Sequence, residues 1–269
     1  MKNHMPDLKN QLVLITGASR GIGRATALVL AKEGATLALL ARNEKDLDSI
    51  ALEISKTPGR AHVYPVDLEK IEEIIIISNQ IKKDLGVPNI IINSAGQGRF
   101  LFLEETPLEE IQPMINLPFI AALHITRLFL PEMIQRNSGH IINIGSPASH
   151  LPWPGATVYS CSRWALRGLS ESLWADLYRT NLHVSHILPG KVSSSYFSNN
   201  PGSEDRLPKL SNFIPTLTPE DVGKSVLKTI INKKRIVIIP FSLKLTFYFF
   251  RLFPRITHFL IYQTGHRRN

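Results

Sequence analysis

Thr16-Gly17-Ala18-Ser19-Arg20-Gly21-Ile22-Gly23 follows without a break on the apolar run 12–16 and opens into a helix-length run, 22–32. Glycines spaced in this way permit a tight turn, close approach of backbone to a phosphate, and contact between helix and sheet. The helix start presents N–H groups without intrahelical partners and the positive end of the helix dipole, which together suit a pyrophosphate. A glycine trio alone is weak, because turns use glycine anyway. Its position between a first strand and a first helix carries the reading.

Outward from this turn, strand-length apolar runs recur at 36–41, 61–66, 89–93, 140–145, 183–188 and 235–240. Helix-length amphipathic runs lie between them, at 44–55, 71–85 and 165–179 among others. The alternation predicts an α/β fold, a doubly wound and mostly parallel sheet with helices on both faces. The strands read as near-continuous Val/Ile/Leu, as expected when both faces are covered. A chain of 269 residues fits one large domain of this kind. Its 43% hydrophobic and 20% charged content argues against disorder.

The single cysteine, Cys161, excludes an internal disulfide, suits a reducing compartment, and reads as structural rather than reactive. Residues 1–10 hold no apolar stretch of the kind a secretion signal needs, so the expected location is cytoplasmic. The formal charge of +9 admits nucleic acid, an anionic membrane surface or a phosphorylated ligand. It is not gathered in one basic run, and neither zinc-ligand spacing nor an RNA-binding signature is present. Nucleic acid is therefore not an expected partner, and no metal is expected.

The second strand ends Leu39-Leu40-Ala41-Arg42, without the acidic residue that would grip a ribose 2′-hydroxyl. Arg42 and Arg20 can instead hold a 2′-phosphate through charge-assisted bonds, which favours NADP(H); the plainer reading is two solvated arginines. Asp67 and Leu68 follow the third strand, and Asn93-Ser94-Ala95-Gly96 follows the fourth, both at carboxyl ends where ligands sit in open α/β sheets. Asp67 could accept from an adenine amine or cap a helix. Small residues at Ala95 and Gly96 would let a cofactor lie close to the backbone.

These residues, with Tyr159 in a YxxxK-like setting and Pro189-Gly190, closely resemble the short-chain dehydrogenase/reductase family in order and spacing, from about residue 8 to 240. The resemblance implies one Rossmann-type domain, residues 1–240, with strand order 3-2-1-4-5-6-7. It also implies a catalytic group of Asn, Ser, Tyr and Lys, here Asn116, Ser146, Tyr159 and, in place of lysine, Arg163. By the same resemblance the cofactor would be held by Gly17, Ser19, Arg20, Gly21, Ile22 and Gly23 at the first turn. Tyr159, Arg163, Pro189, Gly190, Val192 and Ser194 would hold its nicotinamide end. A homodimer or homotetramer, built through the helices containing Asn116 and Tyr159, is implied as well.

Hydride transfer to a ketone leaves oxyanion charge that needs a proton and a hydrogen-bond donor. Tyr159 can supply the proton, Ser146 can hold the oxygen, and Asn116 can fix a water. A guanidinium keeps its positive charge but does not release a proton, so Arg163 can serve electrostatically and not as a relay. Pro118, just after Asn116, removes an N–H and frees the carbonyl of Met114, which either enlarges a water site or kinks the helix.

Residues 193–218, rich in Ser, Asn and Pro, are too long for an ordinary connection and read as a functional loop or lid. Together with 97–102 and 150–153 they are expected to wall a substrate pocket; Ser146, Trp153, Tyr159 and Tyr196 are its expected substrate contacts. The aromatic residues suggest an apolar substrate portion, or else ordinary core packing. The tail, 241–269, has no stretch of about 20 uninterrupted apolar residues, which disfavours a spanning helix. It reads either as an interfacial amphipathic helix, making the protein peripheral on a membrane, or as a helix packed on its own domain or another subunit.

The leading expectation is an NADPH-dependent reductase or dehydrogenase acting on a hydrophobic ketone, aldehyde or alcohol. A steroid, a retinoid, a 3-keto-sphingoid or an acyl-chain compound would each fit. The rival reading, prompted by Arg163, is a cofactor-binding scaffold whose chemistry has lapsed.

Overall fold

The computed structural model describes residues 8–268; most of the start read above for a secretion signal lies outside them, as does Asn269. Seven strands, β1 (Leu12–Thr16), β2 (Thr36–Ala41), β3 (Arg60–Pro65), β4 (Ile90–Asn93), β5 (Gly139–Ile144), β6 (Leu182–Pro189) and β7 (Ile236–Ile239), form one sheet. Their order is β3-β2-β1-β4-β5-β6-β7, and every pairing is parallel. Order and direction agree with the sequence expectation.

One face of the sheet is covered by α1 (Gly21–Lys32), α2 (Glu44–Ile54) and α7 (Pro219–Asn232). Leu30 of α1, Ile50 of α2 and Val226 of α7 share a core with Val13, Ile15 and Leu39. The other face is covered by α3 (Ile71–Asp84), α5 (Ala121–Arg136) and α6 (Thr157–Asp176), through Ile74, Phe129 and Leu173 against Leu14, Ile91 and Ile141. Strand side chains alternate between the two clusters, which is why the strands read as continuous apolar runs. Thr218 caps α7, accepting from the Asp221 N–H at 3.1 Å while Asp221 accepts from the Thr218 N–H at 2.9 Å.

Two helices depart from their sequence reading. The helix predicted from 165 begins at Thr157, because its buried stripe includes Ser162, Arg163 and Ser170, which masks the apolar periodicity. Between α4 (Leu108–Ile115) and α5 the chain makes a π turn over Asn116–Ile120, with the Ala121 N–H donating to the Asn116 carbonyl. Pro118 has no N–H to complete an α turn there, and the extra residue is the outcome. The helical run Leu108–Arg136 is long and apolar enough to cross a membrane by length and composition. Its Ile125, Phe129 and Met133 nevertheless sit in the core.

The tail also differs from a single helix. It forms α8 (Phe241–Leu252) and α9 (Pro254–Thr264), broken at Phe253, since a residue before proline is driven from the helical region. Leu243, Thr257 and Ile261 turn inward. Gly265 closes on Pro154, and Arg268 bonds Glu104 at 2.7 Å while lying 4.6 Å from the centre of the Phe102 ring. The tail is thus folded back over the carboxyl edge of the sheet.

Burial pushes the imidazoles of His140 in β5 and His186 in β6 down to about 3. They stay neutral in the folded chain while an unfolded chain protonates them below about 6.5. The stability present above that value is therefore lost as pH falls from about 6.5 toward 3. We expect the unfolding free energy from urea titration to drop between about pH 7 and about pH 5, by on the order of 1 kcal/mol per pH unit for each ring below 6.5. A free energy that stays level over that interval contradicts neutral burial.

Candidate active site

Every strand of the sheet delivers its carboxyl end to one long cleft, a cavity of about 990 Å³. At one end lies the turn after β1. Gly17 and Gly21 have positive φ, +66° and +55°. A Cβ on Gly17 would stand 2.8 Å from the Ala95 Cα, so this residue lets the turn close on the end of β4. A Cβ on Gly21 would meet only the Ser194 Cβ, at 3.9 Å across the cleft. The start of α1 has no side-chain cap and no acid in its first turn, leaving its N–H groups to the cleft. Arg20 and Arg42, both exposed, and Asp46 form the rim.

At the other end Ser146 follows β5. Its Oγ accepts from the Ala148 N–H at 3.2 Å, which leaves the hydroxyl proton free to donate. Tyr159 and Arg163 stand one turn apart on α6, exposed to only 8% and 6%. The Arg163 guanidinium lies 4.8 Å from the centre of the Tyr159 ring, and its terminal nitrogens sit 3.0 and 3.1 Å from where a Cβ on Gly96 would be. Its Nε is buried without a partner. No carboxylate among the described residues pairs with it.

Tyr196 shares this corner, its ring 6.5 Å from that of Tyr159. Its hydroxyl donates to the Gly98 carbonyl at 2.5 Å, and burial holds the phenol well above its ordinary value of 10, with Arg163 opposing. Tyr196 is therefore a fixed neutral wall. The Tyr159 hydroxyl makes no hydrogen bond to a described residue, so it is the phenol available to a ligand. Phe100, 4.7 Å from Tyr159 and 5.3 Å from Trp153 between ring centres, completes an aromatic box with Phe197. The Trp153 indole N–H is buried without a partner, a second open donor.

Most of the expected residues meet here. Gly17, Ser19, Arg20, Gly21, Ile22, Gly23, Arg42, Leu68, Ala95, Gly96, Pro189, Gly190, Val192 and Ser194 all line the cleft with Ser146, Trp153, Tyr159, Arg163 and Tyr196. Three do not. Asn93 is buried and donates to Asn143 at 2.8 Å, tying β4 to β5. Asp67 accepts from the Glu69 N–H at 3.1 Å in the turn before α3, whose N-cap is Lys70 and carries no side-chain cap. Asn116 begins the π turn, which puts Leu117 on the cleft wall instead. Cys161 is exposed and packs nothing into the core.

Sequence reasoning missed the far wall. Ser242, Leu243, Thr246, Phe249, Thr257 and Ile261 of the two tail helices line the same cavity. The inward positions 243, 246, 257 and 261 recur at helical spacing, but the tail's apolar residues lie all round, so no stripe stood out. A buried polar chain, from Asn93 through Asn143 and Ser170 to His186 Nδ1, also backs Ser146. A Cβ on Gly145 would stand 2.4 Å from His186 Nε2.

A dinucleotide fits what this cleft offers. The uncapped start of α1 and the rim arginines suit phosphates. A ribose would bring acceptors to the open Arg163 Nε, and the Gly21 backbone leaves room for close approach.

Residues 11–204 match the short chain dehydrogenase family. Estradiol 17-beta-dehydrogenase 11 of Mus musculus is 31% identical over 247 residues, 91% of this chain and 80% of that protein. Ketoacyl reductase HetN of Nostoc sp. is 33% identical over 238 residues, 87% of this chain and 80% of that protein. Among solved structures, an alcohol dehydrogenase from the archaeon Thermococcus sibiricus complexed with 5-hydroxy-NADP has a TM-score of 0.74 at 25% identity, covering 85% of this chain and 94% of its own. A metagenomic short-chain oxidoreductase in complex with NADP has a TM-score of 0.73 at 28% identity, covering 87% and 98%.

The packing behind Ser146 can be tested by a double-mutant cycle. Gly145→Ala is expected to destabilise by about 1–3 kcal/mol through overpacking. His186→Ala should remove much of that penalty in the double variant. Simple additivity in urea unfolding contradicts the contact.

Proposed function

The chain belongs to the short chain dehydrogenase family, and on that premise we propose that it is an NADP(H)-dependent oxidoreductase interconverting a hydrophobic ketone or aldehyde and its alcohol. The observation that carries this reading is the convergence of Ser146, Tyr159 and Arg163 at the end of a mainly apolar cavity whose opposite end is the glycine turn before the uncapped start of α1. The relatives named for steroid and ketoacyl substrates and the neighbours holding NADP support both halves of it.

Arg20 and Arg42 would hold a 2′-phosphate, and the start of α1 the pyrophosphate. Gly96, Pro189, Gly190, Val192, Ser194 and the Arg163 Nε would hold the nicotinamide half. When bound, the nicotinamide supplies or accepts the hydride. Ser146 donates a hydrogen bond to the substrate oxygen and fixes it beside Tyr159. The Tyr159 hydroxyl gives that oxygen a proton in reduction and takes it back in oxidation. Arg163 supplies fixed positive charge where negative charge develops, and the proton of Tyr159 is replenished through water because a guanidinium does not release one. Asn116 does not line the cleft and would enter this exchange only through a water.

Phe100, Trp153, Tyr196 and Phe197, with the inner faces of α8 and α9, would enclose an apolar, lipid-like substrate. Residues 1–240 form the catalytic unit and 241–269 its cap, which would also bring the protein to a membrane surface from the cytoplasm.

Tyr159→Phe is expected to lower NADPH-dependent reduction of a hydrophobic carbonyl by about 10²–10⁴-fold with cofactor binding retained. Cofactor binding with no turnover in the wild type would mark a scaffold instead. Arg163→Lys should raise turnover, since lysine can release a proton. Arg42→Ala should raise the KM for NADPH about tenfold or more, by loss of a charge-assisted bond, and leave that for NADH nearly unchanged. Equal effects on both cofactors contradict the assignment of Arg42.

A further inference from the structure

The tail helices have a second face. On α8, Phe241, Leu245, Tyr248, Phe249 and Leu252 are exposed at spacings of four, three, one and three, which places them on one side of the helix. On α9, Ile256, Phe259 and Tyr262 continue the exposed apolar surface. Leu252 is 72% exposed, and Phe213, on the neighbouring 3-10 turn Lys209–Phe213, is 83% exposed. Side chains of this size left in water mark a contact surface.

Charge identifies the occupant. Residues 241–269 contain five Lys or Arg and no Asp or Glu. Arg251 and Arg255 are exposed beside the apolar residues, and Lys244 lies 5.7 Å from the centre of the Tyr248 ring. Apolar side chains flanked by long cationic ones suit the boundary between acyl chains and anionic headgroups. A second copy set face to face would oppose like charges, which disfavours self-association there.

The same face holds the mouth of the cavity. Phe213, Leu245, Phe249 and Leu260 are exposed, and all four also line the cavity. We propose that α8 and α9 seat the cavity mouth on an anionic lipid bilayer, so that an apolar substrate enters between Phe213, Leu245, Phe249 and Leu260 without crossing water. What enters depends on the carbonyl reading above; the docking does not. The Arg268–Glu104 pair and the contact of Gly265 with Pro154 tie the end of the tail to the domain, so docking presents the mouth in a set orientation.

The test uses the full chain in flotation with phosphatidylcholine vesicles, with and without phosphatidylglycerol. Leu252→Glu combined with Phe259→Glu alters two exposed positions that do not line the cavity. We expect the wild type to float with the anionic vesicles and to bind about tenfold or more weakly when either the anionic lipid or the two apolar residues are removed. The variant should keep its melting temperature and its turnover of a short water-soluble ketone, and lose turnover of a long-chain ketone supplied in vesicles. A wild type that ignores vesicles, or a variant that floats as well as wild type, overturns the docking. A wild type that instead forms dimers which the variant breaks assigns the face to a second copy. Unchanged long-chain turnover in a variant that no longer floats overturns entry from the bilayer. Flotation that behaves as expected with no carbonyl reduced in any form leaves the docking standing and removes the reductase reading.

Discussion

A guanidinium buried to 6% exposure with no carboxylate partner is the constraint on which the site depends. A charge taken out of water must be compensated by geometry or by a ligand, and the chain compensates that of Arg163 only in part. The face of the Tyr159 ring lies beneath it, Tyr196 stands beside it, and Nε has no acceptor. Such an arrangement favours binding a molecule that carries oxygen acceptors and negative charge. It also holds the Tyr159 ring between Arg163 and Phe100, which leaves the hydroxyl as the part free to meet a substrate.

The remainder of the fold serves this corner. A parallel sheet sends all its carboxyl ends to one edge, so turns distant in sequence meet there: Gly17 and Gly21 after β1, Gly96 after β4, Ser146 after β5, Gly190 after β6. Behind them the buried chain from Asn93 to His186 locks β4, β5, β6 and α6 in register, so Ser146 is presented by a rigid backing. In front, the tail helices add a further wall to the cleft at that edge.

Much of this was legible in the sequence, for a physical reason. Strands covered on both faces must be apolar throughout, so runs such as Leu12–Thr16 and Thr36–Ala41 announce themselves, and the glycine turn between strand and helix does line one end of the cleft. What stayed hidden was tertiary. Asn93 has the residue type of a ligand contact, but only its neighbour across the sheet, Asn143, reveals that its amide nitrogen is committed to structure. Pro118 signalled a disturbed helix, as a kink or a larger water site, without revealing the π turn that begins at Asn116. The tail's apolar residues gave no hint of which would face the cavity, because that depends on Pro154, Gly190 and the 209–213 turn, all remote in sequence.

The direct test of the central claim is to replace Arg163 by methionine, which keeps much of the length and removes the charge, and to measure melting temperature and NADPH-dependent turnover together. Relief of an unpaired buried charge should make the ligand-free variant at least as stable as wild type, while turnover falls about a hundredfold or more. A variant that is clearly less stable and reduces carbonyls as fast as wild type would show that Arg163 is a packing residue and that the site does not work through its charge.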